Sequence, residues 1–93
     1  MGYYTMREKK VTIPNNLGLH ARAAATFSKQ ASEFSSNIIV VKEHMNVNGK
    51  SIMELLTLAA AKGSGIIIRA DGDDEALAIK ALVTLVKNGF GEQ

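Results

Sequence analysis

Short runs of apolar residues predict four β-strands along the chain. Val11 and Ile13 alternate with polar neighbours until a proline interrupts the pattern, so a first strand ends near Ile13. The unbroken β-branched run within residues 37–42 is too short for a helix and predicts a well-buried second strand. Two further short strands, at residues 45–47 and 66–69, are each followed by a tight-turn sequence containing glycine.

Apolar residues at helical spacing predict a helix after the first strand and another at the end of the chain. The first spans residues 20–34, and the last begins after Asp73 or Asp74 as a cap and ends at residues 88–89. The two core stripes consist of Ala24, Phe27, Ala31 and Phe34 in the first helix and of Ile79, Leu82, Val83 and Val86 in the last. The remaining faces are polar, so both helices are expected to pack one side against a core.

A further helix is predicted to begin at Ser51 and to stop at residues 62–63. Ser51 and Glu54 match the capping box, in which the serine hydroxyl and the glutamate side chain satisfy each other's free backbone N–H groups. Apolar residues cover more than one face of this helix. We therefore expect part of its surface to stay exposed for a partner.

The resulting order βαββαβα predicts an α+β fold, an open-faced sandwich. A four-stranded antiparallel sheet would carry three helices on one face. The 93 residues suffice for one hydrophobic core, so we expect a single domain over residues 6–93. Residues 1–5 form a short tail that is the candidate for disorder.

Composition argues against several classes of function. The chain has no cysteine, which excludes disulfides, thiolate zinc sites and cysteine nucleophiles and fits a reducing compartment. It contains neither a signal-peptide pattern nor an apolar run of about 18 residues, so we expect a cytoplasmic protein without membrane insertion. The formal net charge is only +2 and no aromatic residue falls in a predicted central strand, which argues against nucleic-acid binding.

The stretch Gly18–Arg22 places a histidine where a glycine-bearing loop meets the first turn of a helix. The first N–H groups of a helix lack intrahelical partners and its dipole is positive there, so a phosphate on His20 would meet donors that already point toward it. Arg22 adds a planar guanidinium suited to phosphate oxygens. Histidine also fits because its imidazole is often neutral and nucleophilic at cellular pH. His20 is therefore a candidate phosphoryl acceptor.

The residues by themselves also allow roles without phosphoryl chemistry. A histidine at a helix start is more often a cap or surface residue, in which case the chain would be a regulatory or interaction domain that binds partner proteins without phosphoryl transfer. Ser51 fits the role of a helix cap equally well. His44, beside Glu43 in a predicted hairpin, is most simply a solvated turn residue, and no cluster of ligands supports a metal site.

Two motifs resemble the HPr phosphocarriers of bacterial phosphotransferase systems. Gly18–Arg22 resembles the active-site motif of that family, and Lys50–Gly63 resembles its regulatory-serine helix at the expected distance from the histidine. The similarity runs from about residue 6 to residue 91 and includes the length and the order of elements. The resemblance implies a phosphoacceptor protein that needs no cofactor and is acted on by enzymes, not a free-standing enzyme.

In the cycle that the resemblance implies, enzyme I transfers a phosphoryl group derived from phosphoenolpyruvate to Nδ1 of His20, and the group then passes to an enzyme IIA protein or domain. Arg22 matches the phosphate-stabilising arginine, and Ser51 matches a serine that an HPr kinase/phosphorylase modifies in some members. The protein would act as a monomer in sugar uptake or regulation. Both partners would dock in turn on an apolar surface made by Leu19, Ala21, Ala25, Ile52, Met53 and Leu56.

The chain departs from the commonest family pattern at three positions. Ala23 stands where many members have a proline that would rigidify the join between loop and helix. Leu17 stands where many sugar-type members carry a small polar residue, which makes this chain more similar to the carriers of regulatory, nitrogen-type systems. Glu54 stands where many have glycine, and its carboxylate would repel a phosphate on Ser51.

Overall fold

The computed structural model describes residues 6–92, which form four strands, three α-helices and one 3₁₀ turn. The elements in chain order are β1 Arg7–Thr12, α1 Ala21–Ala31, β2 Asn37–Lys42, β3 Met45–Asn48, α2 Ile52–Thr57, β4 Gly65–Asp71, α3 Glu75–Lys87 and the 3₁₀ turn Gly89–Gly91. The predicted order βαββαβα is confirmed. The tail predicted at residues 1–5 lies outside the described residues, as does residue 93.

The strands form one antiparallel sheet in the order β1-β4-β2-β3. The central strand β4 pairs with β1, where Val11 lies opposite Ile66, and with β2, where Val40 lies opposite Ile68. These four side chains are buried, whereas the alternate residue Ile67 is only half-buried. One face of the sheet therefore packs against the helices and the other is open, which confirms the predicted open-faced architecture.

The predicted stripes of α1 and α3 lie in the core, with graded burial. Phe27 of α1 and Leu82 of α3 are almost fully buried, whereas Phe34 is only half-buried at the margin. Helix α1 ends at Ala31, three residues before the predicted end. The physical reason is a tightening of its last turn, because the N–H groups of Glu33 and Phe34 bond carbonyls three residues back.

Helix α2 is much shorter than predicted and ends at Thr57, not at residues 62–63. Ala59 has a positive φ of 48°, which interrupts the helical path, and the apolar neighbours Leu58 and Ala60 turn into the core as a connection. The Ala60 carbonyl accepts a 2.8 Å hydrogen bond from the Leu19 N–H. Ala60, which the sequence pattern placed in the helix, therefore lies in a connection that is hydrogen-bonded to the loop before α1.

The start of α3 also differs from the prediction. Asp74 occupies the N-cap position, but its carboxylate makes no capping bond to α3. It accepts hydrogen bonds from the Ser35 N–H at 2.9 Å, from the Ser36 N–H at 3.0 Å and from the Ser36 hydroxyl. The side chain of Glu75, the first residue of α3, accepts a hydrogen bond from the Gly72 N–H at 3.0 Å. Asp74 thus joins α3 to the segment between α1 and β2.

We predict that Asp74→Asn weakens the acid dependence of stability. The hydrogen bonds from the Ser36 hydroxyl and, next, from the Ser35 N–H lower the pKa of Asp74 from 3.8 to about 2. Because the folded pKa is depressed, this stabilisation is present above pH 4 and disappears as the pH falls to about 2. In urea unfolding, Asp74→Asn should be less stable than the unsubstituted protein at pH 7, with a gap that closes toward pH 2.

The matched control is Asp73→Asn, which removes a carboxylate from an exposed neighbouring position. It should follow the pH dependence of the unsubstituted protein. A gap between Asp74→Asn and the unsubstituted protein that stays constant from pH 7 to acid would contradict the assigned role of the Asp74 carboxylate.

Candidate functional site

His20 lies at the N-cap of α1, in extended backbone conformation with φ −80° and ψ −177°. Its carbonyl accepts the Ala24 N–H at 2.8 Å, the bond that opens the helix. Its side chain folds back over the first turn, where Nδ1 accepts the Arg22 N–H at 3.3 Å. The imidazole is 23% exposed, so Nδ1 lies at the positive end of α1 within reach of solvent.

The loop before α1 holds His20 in place by backbone bonds. Gly18 has a φ of +67°, a conformation that side-chain-bearing residues rarely adopt. Its N–H donates to the Asn15 carbonyl at 3.1 Å, and its own carbonyl accepts from Asn15 Nδ2 at 2.8 Å. The next residue, Leu19, bonds the Ala60 carbonyl. The residue that precedes His20 is therefore anchored to the connection after α2.

Glu92 is a site residue that the sequence reasoning missed. His20 Nε2 bonds Glu92 Oε2, while Asn15 Nδ2 donates to Glu92 Oε1 at 2.9 Å. The Glu92 side chain is only 16% exposed. The signal in the sequence is the glycine on each side of Phe90 just after α3, because paired glycines permit a sharp reversal of the chain.

The surroundings of Glu92 favour its ionised form. Desolvation is the largest single effect and by itself would raise the pKa. The hydrogen bonds from Asn15 and His20 together with the positive charges of protonated His20 and of Arg22 outweigh it, and they hold the pKa of Glu92 below its ordinary value. A carboxylate therefore faces the Nε2 edge of the imidazole at neutral pH.

Arg22 lies exposed in the first turn of α1, beside the candidate acceptor. It borders an open groove that also includes Leu17 and Glu92. Leu17 is 67% exposed, and no side-chain donor extends from that position. Asn16 and Thr26 also line this groove, and Arg22 is the cationic residue among its lining residues, beside the backbone N–H groups at the start of α1.

The residues predicted for docking divide into an exposed set and one buried residue. Ala21 is exposed and Ala25 half-buried on α1, and the exposed residues of α2, which packs beside α1, complete the set. Ile52, Met53 and Leu56 are 40%, 76% and 36% exposed. Leu19 corrects the prediction, because it is only 5% exposed and its side chain belongs to the core. Together Ala21, Ala25, Ile52, Met53 and Leu56 are called the apolar surface below.

Ser51 caps α2, but the predicted capping box forms only in half. The Ser51 hydroxyl accepts the Glu54 N–H at 3.2 Å, as predicted. Glu54 Oε1 accepts the N–H of Asn48 at 3.0 Å and not that of Ser51, which donates to the Asn48 carbonyl at 3.1 Å. The physical reason is that the Ser51 N–H already donates to the Asn48 carbonyl in the short turn between β3 and α2, so the Glu54 carboxylate bonds the Asn48 N–H instead.

The chain's other histidine lies in a turn and not in this site. His44 lies exposed in the turn between β2 and β3. Within residues 6–92, no group of three or more histidine, cysteine, aspartate or glutamate side chains could hold a metal ion. In the same part of the chain, no helix has the length and apolar character needed to cross a membrane.

Comparison with known proteins identifies the family. Residues 7–88 match the family model described as the PTS HPr component phosphorylation site. The chain belongs to the HPr phosphocarrier family. The phosphocarrier protein HPr of Neisseria meningitidis serogroup A is 51% identical over 87 residues, which cover 94% of this chain and 98% of that protein.

Solved structures agree with this membership. The crystal structure of HPr-C-His from Thermoanaerobacter tengcongensis superposes with a TM-score of 0.90 at 48% identity, over 94% of this chain and 98% of that one. A structure of an HPr dimer from the same organism has a TM-score of 0.75 at 50% identity, over 88% of this chain and 94% of that one. The fold of this chain is therefore that of solved HPr proteins.

We predict that Gly18→Ala destabilises the loop that carries His20. A Cβ at Gly18 would lie 2.5 Å from the Ala60 carbonyl oxygen and 2.9 Å from Ala61 Cα, in addition to the strain of a positive φ. The expected loss in free energy of unfolding is above about 2 kcal/mol, measured by urea unfolding.

Gly63→Ala is the matched control. Gly63 also has a positive φ, of +90°, but a Cβ there meets no atom within 4 Å. It should therefore cost only the backbone strain, about 1 kcal/mol. Equal losses for the two variants would show that the close approach of Gly18 to Ala60 contributes nothing.

Proposed function

We propose that His20 accepts a phosphoryl group on Nδ1 and passes it to another protein. The observation that carries this proposal is the position of His20 at the N-cap of α1, with Nδ1 directed at the Arg22 N–H. The residue also lies within the span matched by the HPr family model. In the proposed cycle, enzyme I supplies a phosphoryl group derived from phosphoenolpyruvate and an enzyme IIA protein or domain receives it.

The chemistry needs only one nucleophilic atom and fixed donors. The Nδ1 lone pair attacks phosphorus, a new N–P bond forms, and the bond from phosphorus to the donor breaks with its electron pair going to the donor. The positive end of α1 and the Arg22 guanidinium then stabilise the phosphoryl oxygens. Transfer onward reverses these steps. The chain thus serves as a substrate of two enzymes and does not turn over a substrate itself.

The apolar surface is the proposed docking site for both partners. Met53 is its most exposed member at 76%, and a flexible thioether packs adaptably against different surfaces. Transient exchange requires fast dissociation, so a small interface suits a carrier. A monomeric state remains a prediction. The dimer solved for a Thermoanaerobacter tengcongensis relative shows that another member of the family can associate.

Labelling with phosphoenolpyruvate and enzyme I tests the acceptor. We predict that the unsubstituted protein gains one phosphoryl group that is labile in acid and stable in alkali, as expected for a phosphoramidate. His20→Ala should gain none while keeping its fold, because the removed side chain is the nucleophile. Mass spectrometry of the intact protein before and after acid treatment measures the label.

His44→Ala is the matched control, since it removes an exposed histidine from a turn outside the site. It should be labelled as fast as the unsubstituted protein. Full labelling of His20→Ala would overturn the assignment of the acceptor. An unsubstituted protein that binds enzyme I without gaining a label would favour an interaction domain without phosphoryl transfer.

We further propose that Ser51 is a regulatory phosphorylation site for an HPr kinase/phosphorylase. Ser51 is half-buried at the start of α2, directly before the exposed residues Ile52 and Met53. The unpaired N–H groups of a helix start tolerate a negative charge, so the fold should survive the modification. The charge would instead have to be desolvated when a partner covers the apolar surface.

We predict that Ser51→Asp slows the labelling of His20 about tenfold at low enzyme I concentration, because a hydrated charge weakens docking. Ser51→Asn is the matched control, since asparagine caps a helix equally well without the charge. The rate measured against enzyme I concentration separates the two variants. Coinciding curves for Ser51→Asp and Ser51→Asn would leave Ser51 as a helix cap only.

A further inference from the structure

The two ring nitrogens of His20 face partners of opposite character. Nδ1 faces the Arg22 N–H, a donor, and Nε2 faces the Glu92 carboxylate, an acceptor. A proton on Nδ1 would point at the Arg22 donor, whereas a proton on Nε2 points at an oxygen. Hydrogen bonds on both edges therefore favour the same neutral tautomer, with the proton on Nε2 and the lone pair on Nδ1.

The strained turn Gly89–Gly91 places the Glu92 carboxylate beside Nε2 of His20. Gly89, Phe90 and Gly91 have successive positive φ angles of 64°, 59° and 80°. Phe90 is the non-glycine residue in this run, and its side chain is 5% exposed, so core packing holds the turn in its conformation. The Glu92 N–H donates to the Gly89 carbonyl at 2.9 Å, which closes the turn directly before the carboxylate.

Asn15 fixes the carboxylate from the other side. Its Nδ2 donates to Glu92 Oε1 at 2.9 Å and to the Gly18 carbonyl at 2.8 Å. Its Oδ1 is buried and has no hydrogen-bond partner among residues 6–92. Leaving a buried oxygen without a hydrogen bond costs free energy of folding. The benefit of an asparagine at position 15 therefore comes from the two hydrogen bonds that its NH₂ group donates. The same side chain thus holds both the loop before His20 and the group that faces the ring.

We infer that Glu92 is a positioning residue for phosphoryl transfer, which holds the proton of His20 on Nε2 and so keeps Nδ1 unprotonated. The Nδ1 lone pair, which accepts the Arg22 N–H at 3.3 Å in the free protein, leaves that long hydrogen bond when it attacks phosphorus. This inference rests on the proposed function, because it concerns the reactivity of the same histidine. Glu92 itself does not touch the phosphoryl group. Its place at the Nε2 edge keeps its negative charge away from the edge where the phosphoryl group binds.

Glu92 also counters the charge that the transfer creates. When the Nδ1 lone pair forms the N–P bond, the Nε2 proton stays in place and the ring becomes positively charged. The electron pair of the broken bond leaves with the donor. The Glu92 carboxylate pairs with the charged ring, as an acidic residue does behind the histidine of a hydrolase triad. In the onward step the N–P electron pair returns to Nδ1 and the ring is neutral again.

Nuclear magnetic resonance of the unphosphorylated protein tests the tautomer without any transfer reaction. At alkaline pH, where the ring is neutral, the ¹⁵N shifts of His20 should show a protonated Nε2 and an unprotonated Nδ1. In Glu92→Gln, Asn15 Nδ2 and His20 Nε2 compete for a single amide oxygen. When Asn15 obtains it, the glutamine NH₂ faces Nε2, so a population with the proton on Nδ1 should appear.

Glu33→Gln is the matched control, because it removes an exposed glutamate beyond the opposite end of α1. Its ring shifts should equal those of the unsubstituted protein. Glu92→Ala is measured beside Glu92→Gln, with thermal unfolding of each, so that a loss of fold in one variant does not decide the outcome. Identical ring shifts in folded Glu92→Gln and in the unsubstituted protein would overturn the inference.

The rate of labelling by enzyme I is the second measurement. We predict that Glu92→Gln lowers the limiting rate at saturating enzyme I about tenfold, while the enzyme I concentration that gives half the limiting rate stays within about twofold. A docking role would move that concentration instead, and this result would also overturn the inference. Failure of the unsubstituted protein to be labelled would refute the proposed function and leave the tautomer measurement standing as a separate result.

Discussion

The hydrogen bond from the Leu19 N–H to the Ala60 carbonyl, 2.8 Å long, joins the loop before α1 to the connection after α2. It depends on two backbone conformations that few residues adopt, at Gly18 with φ +67° and at Ala59 with φ +48°. Because the bond holds both the residue before His20 and the residues after α2, the acceptor and the apolar surface keep one relative position. In the proposed cycle, a partner that docks on α2 would therefore meet the imidazole in a defined orientation, as group transfer between proteins requires.

The site balances charges of opposite sign around one ring. Arg22 lies in the first turn of α1, on the side where the N–H groups of the helix begin, and Glu92 lies at the Nε2 edge. In the free protein the Arg22 charge contributes to lowering the pKa of Glu92. In the proposed loaded state it would face a dianionic phosphoryl group as well. The Arg22 charge thus has a role in the resting state and a proposed role in the loaded state.

Local patterns predicted the strands and the order of elements because alternation and helical spacing depend on which side chains are buried. These patterns did not predict the end of α2, because that end depends on the backbone conformation of one residue. The apolar character of Leu58 and Ala60 is equally compatible with a longer α2, and nothing local reveals that Ala59 adopts a left-handed conformation. His20 could be predicted from its motif, but Glu92 is 72 positions away and reaches the ring through a turn that has no regular pattern. Contacts of that range depend on the complete fold.

The sheet order has a consequence for synthesis on the ribosome. β1 is made first, yet its strand partner within residues 6–92 is β4, which comes after α2. β2 and β3 can form a hairpin as soon as they emerge, because they are adjacent in sequence and pair directly. Arg7–Thr12 cannot pair with Gly65–Asp71 until that later segment has left the exit tunnel. We expect the three lysine and arginine residues of the unpaired segment to reduce its association with other chains. The same charges lie on an edge strand of the folded sheet, so they oppose edge-to-edge association there by the same repulsion.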